Sequence, residues 1–257
     1  RAGKAHVLFG REDEFPATVD LATVDAAAGY KIEGFQETLR LGGSLKAGGD
    51  INGDGVGDIF FGLSEIDALY VLFGQTSGNP PTNVLANLDG SNGFKVFGDG
   101  DLFLSSYNRA GDFNGDGLDD FIIGHSAGTP GTEYRAGASY VIYGRSSGYP
   151  ETLDLLTLDG SNGFRVDGID ASDGAGRSVS SAGDINGDGY DDLLIGASGA
   201  DPNGNSMAGE TYVVFGQSGM GATFDLSTLN GVNGFQINGI AYVDQTGSNV
   251  NKEGDVN

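Results

Sequence analysis

The sequence predicts an all-β fold built from repeated, four-stranded antiparallel units. The 257 residues include 47 glycines and no cysteine or tryptophan, and only 38% are hydrophobic. This composition is typical of many short strands and tight turns rather than helices. In addition, an aspartate-rich segment recurs along the chain, and strand-like segments recur in step with it. A recurring period of this kind indicates a repeat architecture.

The aspartate-rich segment is clearest in "AGDINGDGYDDLLIGAS", residues 182–198. Counted from Asp184, side-chain oxygens lie at positions 1, 3, 5 and 9, and the backbone carbonyl of Tyr190 is free at position 7. Close-set carboxylates beside an apolar strand are costly unless a cation lies among them. The pattern therefore indicates a metal site made of oxygen ligands.

Calcium suits this ligand set because it takes roughly six to eight oxygens in flexible geometry. An EF-hand loop starts with the same odd-numbered ligands and has glycine at position 6, where Gly189 stands here. No glutamate follows at position 12, so Asp192 must close the site. The alternative is a pair of tight turns, because Asn-Gly and Asp-Gly favour hairpins without any metal.

The same register occurs at residues 50–58 and 112–120, and a fourth copy starts at residue 255 and stops at its third position. The first aspartates of successive copies are 62, 72 and 71 residues apart. A simple turn would not need the ninth-position aspartate three times, which favours calcium. The predicted calcium ligands are Asp50, Asn52, Asp54, Val56 and Asp58; Asp112, Asn114, Asp116, Leu118 and Asp120; Asp184, Asn186, Asp188, Tyr190 and Asp192; and Asp255 and Asn257.

Four strand-like segments accompany each aspartate loop. One precedes the loop, one follows it, and two more have the forms "YVVFG" and "GFQING". Four-stranded repeats longer than about 40 residues indicate the blades of a β-propeller. Phe94, Phe164 and Phe235 hold one fixed place in the repeat, which predicts that they lie in the blade cores.

These motifs resemble the FG-GAP repeats of integrin alpha-subunit propellers and their bacterial relatives, over essentially the whole chain. The resemblance implies an integrin-alpha-like β-propeller, seven-bladed in full, with calcium in the loop between strands 1 and 2 of a blade. About four blades are represented here, and residues 1–257 are expected to form one propeller domain or a fragment of one. Position 8 of the loop is not the same in all copies, because Gly57 stands where the other loops have Asp119 and Asp191. The turn after strand 2 also varies, with "FGL" and "IGH" in place of "IGA".

The charge balance of the chain limits the classes of partner that it can bind. The formal net charge is −23 with only 13 Lys and Arg, which argues against nucleic-acid binding through phosphates. No run of about 18 apolar residues is present, so no direct membrane insertion of this chain is predicted. Extracellular calcium modules bind at roughly 10⁻⁴ to 10⁻³ M, and loops of this kind are most useful where free calcium is high. We therefore expect an extracellular or cell-surface location.

A binding surface is predicted at the end of the blades opposite the aspartate loops. The connections between strands 2 and 3 are long at residues 125–138 and 197–210, and long loops on a rigid scaffold commonly bind ligands. Tyr134, Arg135 and Tyr242 are the candidate ligand residues, because Tyr and Arg are enriched at interface hot spots. The alternative is that they are ordinary loop residues. The expected partner is a protein or a glycan.

Catalysis has little support in the sequence. His6 and His125 have no serine or cysteine nucleophile signature nearby, and the clustered carboxylates are assigned to calcium. The leading hypothesis is a non-enzymatic, calcium-binding module for adhesion or ligand binding. The alternatives are a non-catalytic propeller that accompanies a secreted hydrolase or lyase, and a structural matrix protein.

Overall fold

The computed structural model describes residues 2–34, 41, 43–63, 66, 68–76, 84–98 and 104–252. In these ranges the chain forms strands and four short 3₁₀ turns, at Val84–Ala86, Leu155–Thr157, Pro202–Gly204 and Leu226–Thr228, with no α-helix. The same ranges contain no helix of sufficient length and apolarity to cross a membrane. The strands are β1 (Lys4–Leu8), β2 (Gly29–Glu33), β3 (Leu45–Gly49), β4 (Asp58–Leu63), β5 (Ala68–Leu72), β6 (Gly93–Phe97), β7 (Ser106–Gly111), β8 (Asp120–His125), β9 (Ala138–Ile142), β10 (Thr152–Asp154), β11 (Gly163–Asp167), β12 (Ser178–Gly183), β13 (Asp192–Ala197), β14 (Glu210–Val214), β15 (Thr223–Asp225) and β16 (Gly234–Asn238).

The strands form the predicted four-stranded antiparallel blades. The first blade contains β3, β4, β5 and β6, the second β7, β8, β9 and β11, and the third β12, β13, β14 and β16. β1 and β2 form a separate antiparallel pair that corresponds to strands 3 and 4 of the repeat. The chain is therefore an all-β, partial β-propeller.

Two three-residue strands were not predicted, and they tie neighbouring blades together. β10 lies in the sequence of the second blade but pairs in parallel with β6, the outer strand of the first. β15 pairs in the same way with β11, so the third blade extends the second. Each pairing uses backbone groups that the outer strand would otherwise leave unpaired, and so protects its edge.

Aromatic side chains fill the space between blades. Phe60 of the first blade lies 5.3 Å from Phe121 of the second, and Phe94 stacks on Tyr149 at 4.2 Å between ring centroids. Phe94 and Phe164 are fully buried, as predicted, but Phe235 is 39% exposed, so the prediction of a core position is wrong for Phe235. The physical reason is that β16, unlike β6 and β11, has no further strand beside it among the described residues.

The glycine in strand 2 of each blade permits close approach of the next blade. A Cβ atom on Gly124 would lie 2.1 Å from the carbonyl oxygen of Gly176, and one on Gly196 would lie 2.0 Å from that of Gly247. Both carbonyls belong to connections that lead into or away from the third blade. The backbone of these connections is therefore packed directly against strand 2 of the second and third blades.

Candidate metal centres and the opposite loop face

Each aspartate loop begins at a β-bulge. The register of strand 1 shifts at Ala47/Gly49, Arg109/Gly111 and Ser181/Gly183, directly before the first loop aspartate. The three glycines have φ values of +78°, +78° and +71°, a conformation that other residues adopt only with strain. The bulge turns the chain out of the sheet and into the loop.

The position-1 aspartate organises the loop from inside. In the second loop, Asp112 Oδ1 accepts hydrogen bonds from the N–H groups of Gly115 at 2.8 Å and Asp116 at 3.0 Å. Its Oδ2 accepts from Gly117 N at 2.9 Å. Asp50 and Asp184 accept from the equivalent position-5 and position-6 N–H groups. The loop is therefore already curled around the carboxylate that would be its first ligand.

Positions 3 and 5 are linked to each other on the exposed side of the loop. Asn114 Oδ1 accepts from Asp116 N at 2.8 Å, and Asn114 Nδ2 donates to Asp116 Oδ2 at 3.0 Å. Asp116 Oδ1 accepts from the N–H of Leu118 at 2.9 Å, which fixes the position-7 residue whose carbonyl is the predicted ligand. The same bonds to the position-7 N–H occur at Val56 and Tyr190.

The position-9 aspartate is buried and bridges the loop to strand 3. Asp120 is 0% exposed, and its carboxylate accepts from Phe113 N at 3.0 Å and Gly144 N at 2.8 Å. Asp58 and Asp192 make the same two contacts in their blades. This arrangement explains why an aspartate occurs at position 9 in all three loops.

Burial of these carboxylates changes their acidity. Burial, with a smaller contribution from the charges of Asp116 and Asp112, raises the pKa of Asp120 to about 8, although the N–H contacts oppose the rise. The same causes raise the pKa of Asp58 to about 7 and also raise the pKa of Asp192. Each loop therefore concentrates negative charge around a carboxylate that has lost much of its hydration.

The chemistry of the donor set fits a hard cation. In the described ranges, no three His, Cys, Asp or Glu side chains are grouped as ligands of one metal ion. The loop carboxylates accept hydrogen bonds from backbone N–H groups. A carboxylate oxygen that accepts one hydrogen bond retains a lone pair, as Asp112 Oδ2 and Asp116 Oδ1 do, whereas Asp112 Oδ1 accepts two. The same ranges show no Lys or Arg ion pair to a carboxylate at position 1, 5 or 9. The Tyr143 hydroxyl is buried and has no hydrogen-bond partner among the described residues. Its pKa is raised by burial and, to a smaller extent, by the charges of Asp120 and Asp116.

Within each of the loops 50–58, 112–120 and 184–192, hydrogen bonds link the residues at positions 1, 3 and 5, and the position-9 carboxylate accepts from the position-2 N–H; that these oxygens bind calcium stays a prediction. The sequence pattern supplies an amide oxygen and a backbone carbonyl in addition to three carboxylates, which is the oxygen chemistry that calcium prefers. Asp255 and Asn257 lie outside the described residues.

The connections at the other end of the strands form an open groove. The groove has a volume of about 860 Å³ and is lined by residues that include Tyr134, Arg135, Ser172, Asp173 and Arg177. The Arg135 guanidinium lies over the Tyr134 ring, 5.5 Å from its centroid. Because β8 separates the loop 112–120 from this connection, the groove and the aspartate loops lie at opposite ends of the blade.

Tyr134 and Arg135 both line this groove, whereas Tyr242 is not among its lining residues; that the three residues bind a ligand stays a prediction. Tyr242 is 75% exposed and precedes Val243, whose N–H donates to Ser206 O in the third blade. The equivalent bond in the second blade joins Ser172 N to Tyr134 O. Tyr242 therefore lies one blade further along, at the place that corresponds to the residue before Ser172.

Asp173 and Arg177 are groove residues that the sequence analysis missed. Asp173 is 8% exposed, and burial, together with the charges of Asp170, Glu210 and Asp201, raises its pKa to about 7. No motif marks Asp173, because Asp201 and Glu210, two of the three carboxylates that surround it, come from a different connection of the chain.

Substitution of Asp173 by asparagine is expected to stabilise the protein at pH 8 by about 2 kcal/mol. Since the folded-state pKa is above the ordinary value of 3.8, the native state binds more protons than the unfolded state between about pH 4 and 7. Ionisation of Asp173 therefore lowers the stability of the wild-type chain as the pH rises through this window, and Asp173→Asn lacks this contribution. Urea denaturation in EDTA at pH 8 and pH 4 measures the effect. Equal stabilities at pH 8 would contradict the assignment.

Comparison with known proteins agrees with the repeat architecture. An FG-GAP repeat model matches residues 109–142 and 175–214. Integrin alpha-V of Gallus gallus is 29% identical over 184 residues, which is 67% of this chain and 16% of the relative. Integrin alpha-M of Mus musculus is 37% identical over 100 residues, 38% of this chain and 8% of the relative.

A relative of a different kind is phosphatidylinositol-glycan-specific phospholipase D of Rattus norvegicus, 28% identical over 175 residues, which is 65% of this chain and 20% of the relative. The chain thus spans a fifth or less of the length of these curated relatives. The matched residues run from the end of β7 to β9 and from the segment before β12 to β14, and each range includes one complete aspartate loop. The chain therefore contains segments that match the FG-GAP repeat, and its partial β-propeller resembles that of integrin alpha subunits.

Proposed function

We propose that the chain is a calcium-binding interaction module that acts outside the cell or at its surface. Calcium would be held by the loops 50–58, 112–120 and 184–192, through the carboxylates at positions 1, 5 and 9, the asparagine at position 3 and the carbonyl at position 7. A bound calcium ion would neutralise the carboxylates of its loop and link strands 1 and 2 of the blade, which the loop joins. Asp255 and Asn257 are proposed as the first two ligands of a fourth loop.

One observation carries the calcium proposal. Three separate loops place the same oxygen-bearing residues at the same positions, with the same internal N–H contacts, and the described residues offer those carboxylates no cationic side chain. The N–H contacts already account for the buried carboxylate at position 9. A hard cation accounts in addition for the exposed carboxylate at position 5, which a turn alone does not require.

The opposite loop face is proposed to bind a protein or glycan ligand, by adhesion or a related mode of recognition. In the described ranges, the non-glycine residues with positive φ are Arg135, Ser172, Asn203, Met207, Val243 and Gln245, and all of them belong to connections at this end of the blades. Such conformations cost of order 1–3 kcal/mol each and cluster at ligand-binding sites. Tyr134, which is 63% exposed, supplies an accessible aromatic surface next to Arg135.

A binding screen tests this part of the proposal. The chain is applied, in millimolar calcium, to arrays of purified extracellular matrix proteins and of polysaccharides. We expect at least one protein or polysaccharide on the arrays to bind the chain. The amount of chain bound should fall at least about tenfold for the double variant Tyr134→Ala plus Arg135→Ala, in line with the energies of interface hot spots. Leu156→Ala, which removes an exposed side chain outside the groove, is the matched control. Binding that the double variant leaves unchanged would exclude this groove.

A second candidate is a non-catalytic propeller that accompanies a hydrolase. The similarity to a phospholipase D over 65% of this chain favours it. Sequence of the complete protein distinguishes the two candidates, because a catalytic domain beside the propeller is expected only for the second.

A further inference from the structure

Neighbouring aspartate loops contact each other through the aspartate at position 8. Asp119 Oδ2, in the second loop, accepts from the N–H of Asp50, position 1 of the first loop, at 2.8 Å. Asp191 Oδ2, in the third loop, accepts from the N–H of Asp112 at 3.0 Å. The backbone completes each contact, since Asp119 N donates to Asp50 O at 3.3 Å and Asp191 N to Asp112 O at 3.0 Å.

The packing around this contact is close in both copies. A Cβ atom on Gly111 would lie 2.0 Å from Asp191 Oδ2, and one on Gly49 would lie 2.3 Å from Asp119 Oδ2. The glycine before position 1 therefore leaves room for the aspartate of the next loop, in addition to forming the bulge. No side chain larger than hydrogen fits there without displacing the carboxylate.

A second contact joins the same pairs of loops. The position-7 side chain of each later loop covers the position-4 glycine of the loop before it. A Cβ on Gly53 would lie 2.8 Å from Leu118 Cδ2, and one on Gly115 would lie 2.4 Å from Tyr190 Cε1. Because position 7 supplies a proposed ligand carbonyl, the shape of one loop depends on the ligand geometry of the next.

We propose that Asp119 and Asp191 are positioning residues that couple adjacent calcium sites, each supporting the site in the loop before its own. This inference rests on the proposed calcium binding. The aspartate holds the backbone of the position-1 ligand, and its charge adds to the negative potential at that site. Groups that orient metal ligands in this way typically contribute about 10- to 100-fold to metal affinity.

The chain contains a natural contrast. Position 8 of the first loop is Gly57, which has no side chain for such a contact. Asp119 also pairs with Arg109, at 2.6 Å from Nη2 to Oδ1, whereas Lys252 lies 3.5 Å from Asp191. The less neutralised Asp191 is therefore expected to show the larger effect.

A double substitution tests the coupling across loops. Asp188→Ala removes the position-5 ligand and so abolishes the third loop's own site, leaving two calcium ions per chain. Addition of Asp191→Ala in this background is expected to weaken the second loop about 10- to 100-fold, measured by isothermal titration calorimetry. Asp191→Asn, which keeps an oxygen to accept from Asp112 N, should lose less and serves if the alanine variant does not fold.

A control substitution tests whether the loss of any negative charge, wherever it lies in the chain, weakens calcium binding. Glu133→Gln in the Asp188→Ala background removes one negative charge at the opposite face and should leave both remaining affinities within about twofold. The six-residue strand β8 separates this charge from the loop 112–120 by about 20 Å, which is beyond a Debye length. The mirrored pair, Asp116→Ala with Asp119→Ala, should weaken the first loop.

The two proposals fail in different ways. If Asp188→Ala/Asp191→Ala binds two calcium ions with the affinities of Asp188→Ala alone, the coupling is refuted while calcium binding stands. If the unsubstituted chain binds no calcium, both are refuted. A fall in affinity confined to the second loop supports the coupling.

Discussion

Removal of calcium with EDTA is expected to lower the free energy of unfolding by about 4 to 8 kcal/mol relative to calcium at ten to a hundred times the dissociation constant. Each site that binds only the native state adds about 1.4 to 2.7 kcal/mol under these conditions, and the three described loops act together. For a chain of this size the melting temperature should fall by about 10 °C or more. Thermal unfolding followed by far-UV circular dichroism measures the change.

Magnesium is the matched control for this experiment. Magnesium demands near-ideal octahedral geometry and dehydrates reluctantly, so it should restore much less stability than calcium. Identical melting curves in calcium and in EDTA, after loss of metal is verified, would show that the loops are only turns.

Substitution of Asp120 by alanine is expected to cost about 3 kcal/mol of stability even without calcium, and to abolish one calcium site. The carboxylate accepts hydrogen bonds from Phe113, Asn114 and Gly144, and each buried N–H left without a partner costs roughly 1–3 kcal/mol. Relief of the buried charge offsets part of this cost. Denaturant unfolding in EDTA measures the remainder.

Asp116→Ala separates the structural role from the metal role. Asp116 lies in the same loop but is exposed, and its contacts are to Leu118 N and Asn114 Nδ2. This variant should lose the same calcium ion and remain within about 1 kcal/mol of wild-type stability in EDTA. Equal destabilisation by the two substitutions would mean that position 9 has no special part in the fold.

The repeats made the blades and the aspartate loops predictable. Strand periodicity and the recurring "YVVFG" and "GFQING" segments indicate four strands per repeat, and each blade has them. The nine-residue register places the ligand oxygens in one loop, because a hairpin turn keeps residues of short sequence separation together. Both features depend on local contacts.

Contacts between repeats were not predictable in the same way. The Thr152–Asp154 strand joins an outer strand more than 50 residues earlier, and three residues are too few to show a period. The sequence shows that Gly57 differs from Asp119 and Asp191, but the use of those aspartates depends on a loop 69 or 79 residues away. The charge environment of Asp173 likewise arises only when separate connections meet.

The most direct test of the calcium sites is a titration that counts bound ions. Equilibrium dialysis or isothermal titration calorimetry of the 257-residue chain is expected to give three calcium ions per chain, one for each of the described loops 50–58, 112–120 and 184–192. Asp116→Ala should reduce the count to two, and the combined substitution of Asp54, Asp116 and Asp188 by alanine should reduce it to none. Failure to bind calcium, or a count that these substitutions leave unchanged, would contradict the assignment of the loops.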